Sequence, residues 1–291
     1  MQTINSLFKK KVLFDGKIFT IWRSLFGFYF IYYAIRMLPY ASEIYSRGGI
    51  VPSATLNWTY GLFPDIFYFF DSPQMVVIAH ICILVAGGGV LFGYFPRVAC
   101  FIIFYLQTAL YNRNVLTDDP SMAFIGLLLL TLVLIPHQPK LLSKEKGVVR
   151  IPYFVFFVPI FVFCVAFTTS AIDKISSPSW LQGTALFHML HLSVARDTSL
   201  VHFFVAHQRL TELLSYSAVL VQLTCFPFFI AGLYRVALIL NFLAFCFIFL
   251  VLDLNQVIYG MLLFYSFFLL RDIPEWNIHI KSLHKYLKMK W

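Results

Sequence analysis

At 291 residues, 60% hydrophobic and 19% aromatic but only 12% charged, the chain is too apolar for a soluble globular protein, in which about a quarter of residues carry charge. Its net charge of +9 reads as membrane-topology charge and gives no ground for a nucleic-acid partner. The five cysteines all fall inside apolar runs, which excludes a disulfide framework or a cysteine zinc site and leaves them as packing residues.

Residues 1–18 form a basic amphipathic N-terminal segment. Ile4, Leu7, Phe8, Val12 and Phe14 alternate with the cluster Lys9-Lys10-Lys11, a pattern suited to an anionic inner leaflet. Residues 19–272 then carry apolar runs near the ~20 residues that cross a bilayer. Eight transmembrane helices are expected, at about 19–39, 75–94, 97–112, 121–136, 151–172, 213–233, 235–252 and 256–271. The expected fold is an all-α integral membrane protein with interfacial helices and no soluble domain.

Residues 50–70 are rich in aromatics, Trp58, Tyr60 and Phe67 among them, but Pro52, Pro64 and Asp65 interrupt them, so they are read as interfacial. Gly87-Gly88-Gly89 in the second span predicts a close helix–helix approach. Pro159 and Pro227 are expected kinks, and Gln222 and Asn241 are expected hydrogen bonds between helices. Segment 185–207 is apolar too, but Arg196, Asp197 and three histidines argue against a ninth span. Residues 273–291 form a basic tail.

With eight spans, both termini share a side. That side carries sixteen Lys and Arg against four carboxylates, while the other carries six against nine. The positive-inside rule then places both termini in the cytoplasm of a multi-pass protein of the plasma (bacterial inner) membrane.

Lys174 closes the apolar run Tyr153–Phe167, at the outer membrane boundary. An ionisable group there is costly and marks a functional site by default. A lysine in apolar surroundings loses its charge more readily and can serve as a base near neutral pH. Asp173 next to it would hold the ammonium charged if the two met, and the plain alternative is a lysine that snorkels to the interface beside Trp180. Arg113, followed by Asp118 and Asp119, is expected to form an ion pair. His188 and His191, three apart, could face one metal, but no third ligand is identifiable, so no metal site is assigned.

The stretch Thr169-Ser170-Ala171-Ile172-Asp173-Lys174-Ile175, followed by Ser179-Trp180, Gly183 and Ala185-Leu186, resembles the HTTM (horizontally transferred transmembrane) family. These are integral-membrane relatives of the vitamin K-dependent gamma-carboxylases. Trp22-Arg23-Ser24-Leu25-Phe26-Gly27, Arg113-Asn114 and Asp253 after a late span agree in order, and the resemblance runs from about residue 16 to 272. In the carboxylases the lysine before the Trp-x-x-Gly turn is the base that deprotonates reduced vitamin K. The resemblance therefore implies Lys174 as base and a reduced lipid quinone as cosubstrate. Where the carboxylases carry a histidine, this chain has Pro120-Ser121. In length and in Trp180-Leu181-Gln182-Gly183-Thr184-Ala185 it is more similar to the stand-alone bacterial members typified by sporulation-delaying protein B, which mature an exported antimicrobial peptide with a small accessory protein.

Three functions follow as expectations. The first is a maturation or accessory factor for an exported peptide, with Arg113, Asp173, Trp180, His188 and His191 as partner-binding residues. The second is a carboxylase-like enzyme with Lys174 as base. The third is a non-catalytic binding or transport protein.

Overall fold

The expected apolar runs are largely helical, and four of the described α-helices begin at a residue whose side chain caps them. The computed structural model describes residues 11–270 except 52, 54, 56, 58–60, 63, 118 and 144–146. The lysine cluster at Lys9 and Lys10, Trp58, Tyr60 and the basic tail lie outside the described residues. The helices gather into two compact units, divided between Val155 and Phe156.

In the first unit, α1 (Gly16–Met37) starts where the Asp15 carboxylate accepts from the backbone N–H groups of Lys17 and Ile18. A short helix, α2 (Ala41–Tyr45), follows. Ser72 caps α3 (Pro73–Phe92), which has proline at its first position. The remaining helices are α4 (Pro96–Arg113) and α5 (Pro120–Leu134), the latter capped by Asp119 through the Ser121 N–H.

The close approach expected at the triple glycine is real, and the three glycines divide it. A methyl group on Gly27 of α1 would lie 2.4 Å from the Leu91 nitrogen and 2.8 Å from the Gly87 carbonyl of α3. Gly89 faces α4, where an added Cβ would meet that of Ala99 at 3.2 Å, and Gly88 faces open space. Arg23 and Ser24 of the same motif serve this contact as well. Trp22 stacks on Phe26 at 5.1 Å. Arg23 is fully buried and donates to the carbonyls of Val90 and Pro139, and Ser24 donates to Leu91. A cation and a hydroxyl thus satisfy carbonyls at the C-terminal end of α3, where the helix dipole favours positive charge.

One correction applies to the all-α expectation. Lys11–Asp15 is a strand, β1, paired antiparallel with β2 (Val148–Pro152), Val12 opposite Ile151 and Phe14 opposite Val149. Both strands bury alternate residues, so Val12, Phe14, Val149 and Ile151 form one apolar face. Val12 and Phe14 are therefore covered by protein.

In the second unit, α6 (Tyr153–Ile175) accommodates Pro159 without ending. The short helices α7 (Pro178–Leu181), α8 (Ala185–Met189) and α9 (Ser199–Ala206) follow, then α10 (Gln208–Leu223), α11 (Cys225–Ile230), α12 (Tyr234–Val251) and α13 (Asn255–Leu270). Segment 185–207 is two short helices, as its polar residues required. Arg196 ties it to the end of α12, donating to the Leu252 carbonyl and pairing with Asp253 at 3.3 Å. Asn241 bonds the sulfur of Cys225 on α11 at 3.1 Å, an interhelical contact as expected.

Four helical stretches are long and apolar enough to cross a membrane: Gly16–Tyr45, Pro73–Phe92, Tyr153–Ile175 and Tyr234–Val251. Ser121–Leu134 and Gln256–Leu270 are shorter apolar helices. On α1 the outward face is as greasy as the inward one. Ile21, Leu25, Phe28, Tyr32 and Ile35 are all exposed, while Phe19, Trp22, Phe26 and Phe30 are fully buried. A helix apolar all round is one that faces lipid or core on every side.

Candidate functional site

Lys174 sits on the last turn of α6, and a break in the neighbouring helix supplies its main partner. Pro227 has no N–H, so the carbonyl of Leu223, four residues earlier, loses its helical donor. The chain breaks there between α10 and α11, and Thr168 of α6 fills the gap. Its hydroxyl accepts from the Phe226 N–H at 3.0 Å and lies 3.2 Å and 3.5 Å from the carbonyls of Gln222 and Leu223. The expected kink is thus a docked joint between two helices.

That joint presents Gln222 to Lys174. The ammonium donates to Gln222 Oε1 at 2.7 Å and to Ser170 Oγ, one turn earlier on α6, at 2.8 Å. It also lies 5.4 Å from the centre of the Trp180 ring, within the range of a cation–π contact. Among the described residues no carboxylate oxygen comes within 4 Å of Nζ, and the Asp173 side chain is exposed. Lys174 is therefore half-buried among neutral partners, with its charge unpaired.

Trp180 is placed by the turn that follows it. Gly183 closes the turn at φ +75°, and a Cβ there would press on the Tyr216 ring of α10 at 2.9 Å. The Tyr216 hydroxyl donates back to the Leu181 carbonyl at 3.2 Å, and the Leu186 N–H donates to Ser215. The Trp-x-x-Gly turn is thus bound to the helix that carries Gln222. Glycine is required for the left-handed backbone and for the close contact together.

The other expected site residues are placed as follows. His188 and His191 are exposed on and just after α8, with His191 Nδ1 donating to the Phe187 carbonyl at 2.8 Å. Among the described residues, no three His, Cys, Asp or Glu side chains converge as a metal ion would need. Arg113 belongs to the first unit and is 2% exposed, donating to the carbonyls of Val51 and Ser46. Beside it Asn112 bonds Asp65 and Tyr68, and Asn114 bonds the Ile44 carbonyl. These residues fasten the 46–71 loop to the end of α4. Asp118 lies outside the described residues, and Asp119 caps α5. Burial pushes the Asp65 carboxyl up, against the opposing pull of the Phe67 N–H, Asn112 and Arg113.

Residue types alone single out Lys174 and Trp180, but they miss Ser170 and treat Gln222 as a packing group. Ser170 was legible from its spacing, four residues before the lysine on one helix face. The role of Gln222 depends on the Pro227 break and on tertiary pairing. The chain matches no family model, no curated protein and no solved structure.

Proposed function

We propose that this chain is a multi-pass membrane protein that helps mature an exported peptide, with the surroundings of Lys174 as its contact site. In this reading the eight apolar helices span the bilayer with both termini in the cytoplasm, and Lys174 lies at the outer face. What supports it is the neutral cradle: an ammonium held by Gln222, Ser170 and the Trp180 ring, with no carboxylate among the described residues within 4 Å of it. Such a charge is available to an anionic group of a partner, for example a peptide carboxylate, in surroundings where a charge-assisted hydrogen bond is strong.

The test is photo-crosslinking from position 180 in membranes of cells that secrete the precursor peptide. A crosslink to that peptide that disappears in Lys174→Ala carries the reading. Normal peptide maturation in cells lacking the protein ends it.

The same absence of a carboxylate favours a second reading, a carboxylase-like enzyme in which Lys174, as the free amine, takes a proton from a reduced lipid quinone. The flat Trp180 ring beside the amine suits a quinone ring, and Ser170 and Gln222 would orient the amine. Oxidation of a reduced naphthoquinone by dissolved dioxygen, catalysed by the protein in nanodiscs and lost in Lys174→Ala, is its signature. No turnover in the wild type rejects it.

A further inference from the structure

Away from Lys174, the first unit carries two adjoining grooves with opposite chemistry. The apolar one, about 460 Å³, runs along α3 and α4 between Ile81, Val85, Ala86, Gly89, Val98 and Ile102. Its floor is the close approach of Gly89 to Ala99, where small residues leave a furrow between the two backbones. From Ile81 to Gly89 the furrow follows about 12 Å of helix. At its end it meets a second groove, about 530 Å³, lined by Arg97, His137 and Gln138. The two share Phe95 and Val98. Phe95 is 82% exposed and holds the one positive φ, +47°, found at a non-glycine residue among those described.

The polar mouth has unused hydrogen-bonding capacity of a definite kind. Arg97 donates through Nε to the Val133 carbonyl at 2.7 Å, which fixes the guanidinium and leaves its two terminal nitrogens without a partner among the described residues. Gln138 donates to the Leu132 carbonyl, and its Oε1 is buried with no donor. Lys140 lies 5.2 Å over the ring of Tyr94, which lines the apolar groove. No carboxylate lines either groove. The mouth thus offers the Arg97 guanidinium beside an apolar furrow, with the Lys140 ammonium over Tyr94 of the furrow itself.

We propose that this paired groove holds one anionic membrane phospholipid. Its acyl chain lies in the furrow between Val85 and Ile102 and its phosphate on Arg97, with the Lys140 ammonium over Tyr94 adding positive charge at the furrow. Charge complementarity selects an anionic lipid over a zwitterionic one, and the site rests on the membrane reading of the chain.

The experiment is native mass spectrometry of the full chain, purified in mild detergent and exposed to phosphatidylglycerol or phosphatidylcholine. The expected result is one tightly retained phosphatidylglycerol. Retention falls roughly fivefold in Arg97→Gln and further in the double variant with Lys140→Gln, but is kept in Arg97→Lys. Val98→Trp, which fills the furrow from an exposed position, displaces either lipid. Equal retention of both lipids, or no change in Arg97→Gln with unaltered thermal unfolding, overturns the proposal. A chain that does not fractionate with membranes at all overturns the membrane reading instead.

Discussion

Lys174 Nζ lies 2.7 Å from Gln222 Oε1, a bond from the last turn of one helix to the broken end of another. The acceptor is neutral, so the bond positions the ammonium without cancelling its charge. Replacing Gln222 by Glu would place a carboxylate at this contact. Crosslinking of an anionic peptide should then fall about tenfold, because a hydrogen bond to a charged group is worth ~1.5–3 kcal/mol and the ammonium would already be engaged. Gln222→Leu should loosen the lysine but retain part of the capture. Equal crosslinking in Gln222→Glu and wild type would remove Lys174 from the contact site.

Thr168→Val keeps the shape of the side chain and removes the hydroxyl that fills the α10–α11 break. The Phe226 N–H and the Leu223 carbonyl would lose their partner, at a cost of about 1–3 kcal/mol. Thermal unfolding in detergent should record the loss, together with weaker function through misplacement of Gln222.

Gly27 and Gly88 offer a matched pair. Gly27→Ala drives a methyl into the α3 backbone at 2.4 Å and should destabilise by about 1–3 kcal/mol, whereas Gly88→Ala meets nothing within 4 Å and should be neutral or slightly stabilising. Equal unfolding temperatures for the two variants would contradict the helix contact described.

Gly183→Ala combines a left-handed backbone with a 2.9 Å contact to the Tyr216 ring. The conformational cost alone is about 1–2 kcal/mol. Because the turn holds Trp180 over Lys174, the expected signature is an altered Trp180 fluorescence along with the stability loss.

Asp65 provides a pH test. Its carboxyl is raised by burial, so the folded chain holds that proton more tightly than the unfolded chain. This contribution is complete below the ordinary carboxylate value and is lost as pH rises through the folded value. Asp65→Asn removes it, so the stability of the variant relative to wild type should improve as pH rises from the ordinary carboxylate value through the folded one. A relative stability that declines as pH rises would show that the favourable contacts of Asn112 and Arg113 outweigh burial.

Hydrophobic content and run length alone determine that most of the chain forms apolar helices, because an apolar run is a local property of neighbouring residues. The capping residues Asp15, Ser72 and Asp119 act within three residues of themselves, a local signal that the apolar run lengths did not use. The triple glycine announced a close approach, but only packing decided that Gly87 meets α1, Gly89 meets α4 and Gly88 meets nothing. Lys11-Val12-Leu13-Phe14 reads as part of an amphipathic lead-in, because the partner that makes it a strand lies more than a hundred residues away at Val148–Pro152. Lys174 stood out by its charge, while its electrostatic surroundings came from Gln222, 48 residues on, through a helix break stabilised by Thr168. Backbone geometry repeats over a few residues and can be read along the chain. The acceptors that surround a buried charge are brought together by the fold.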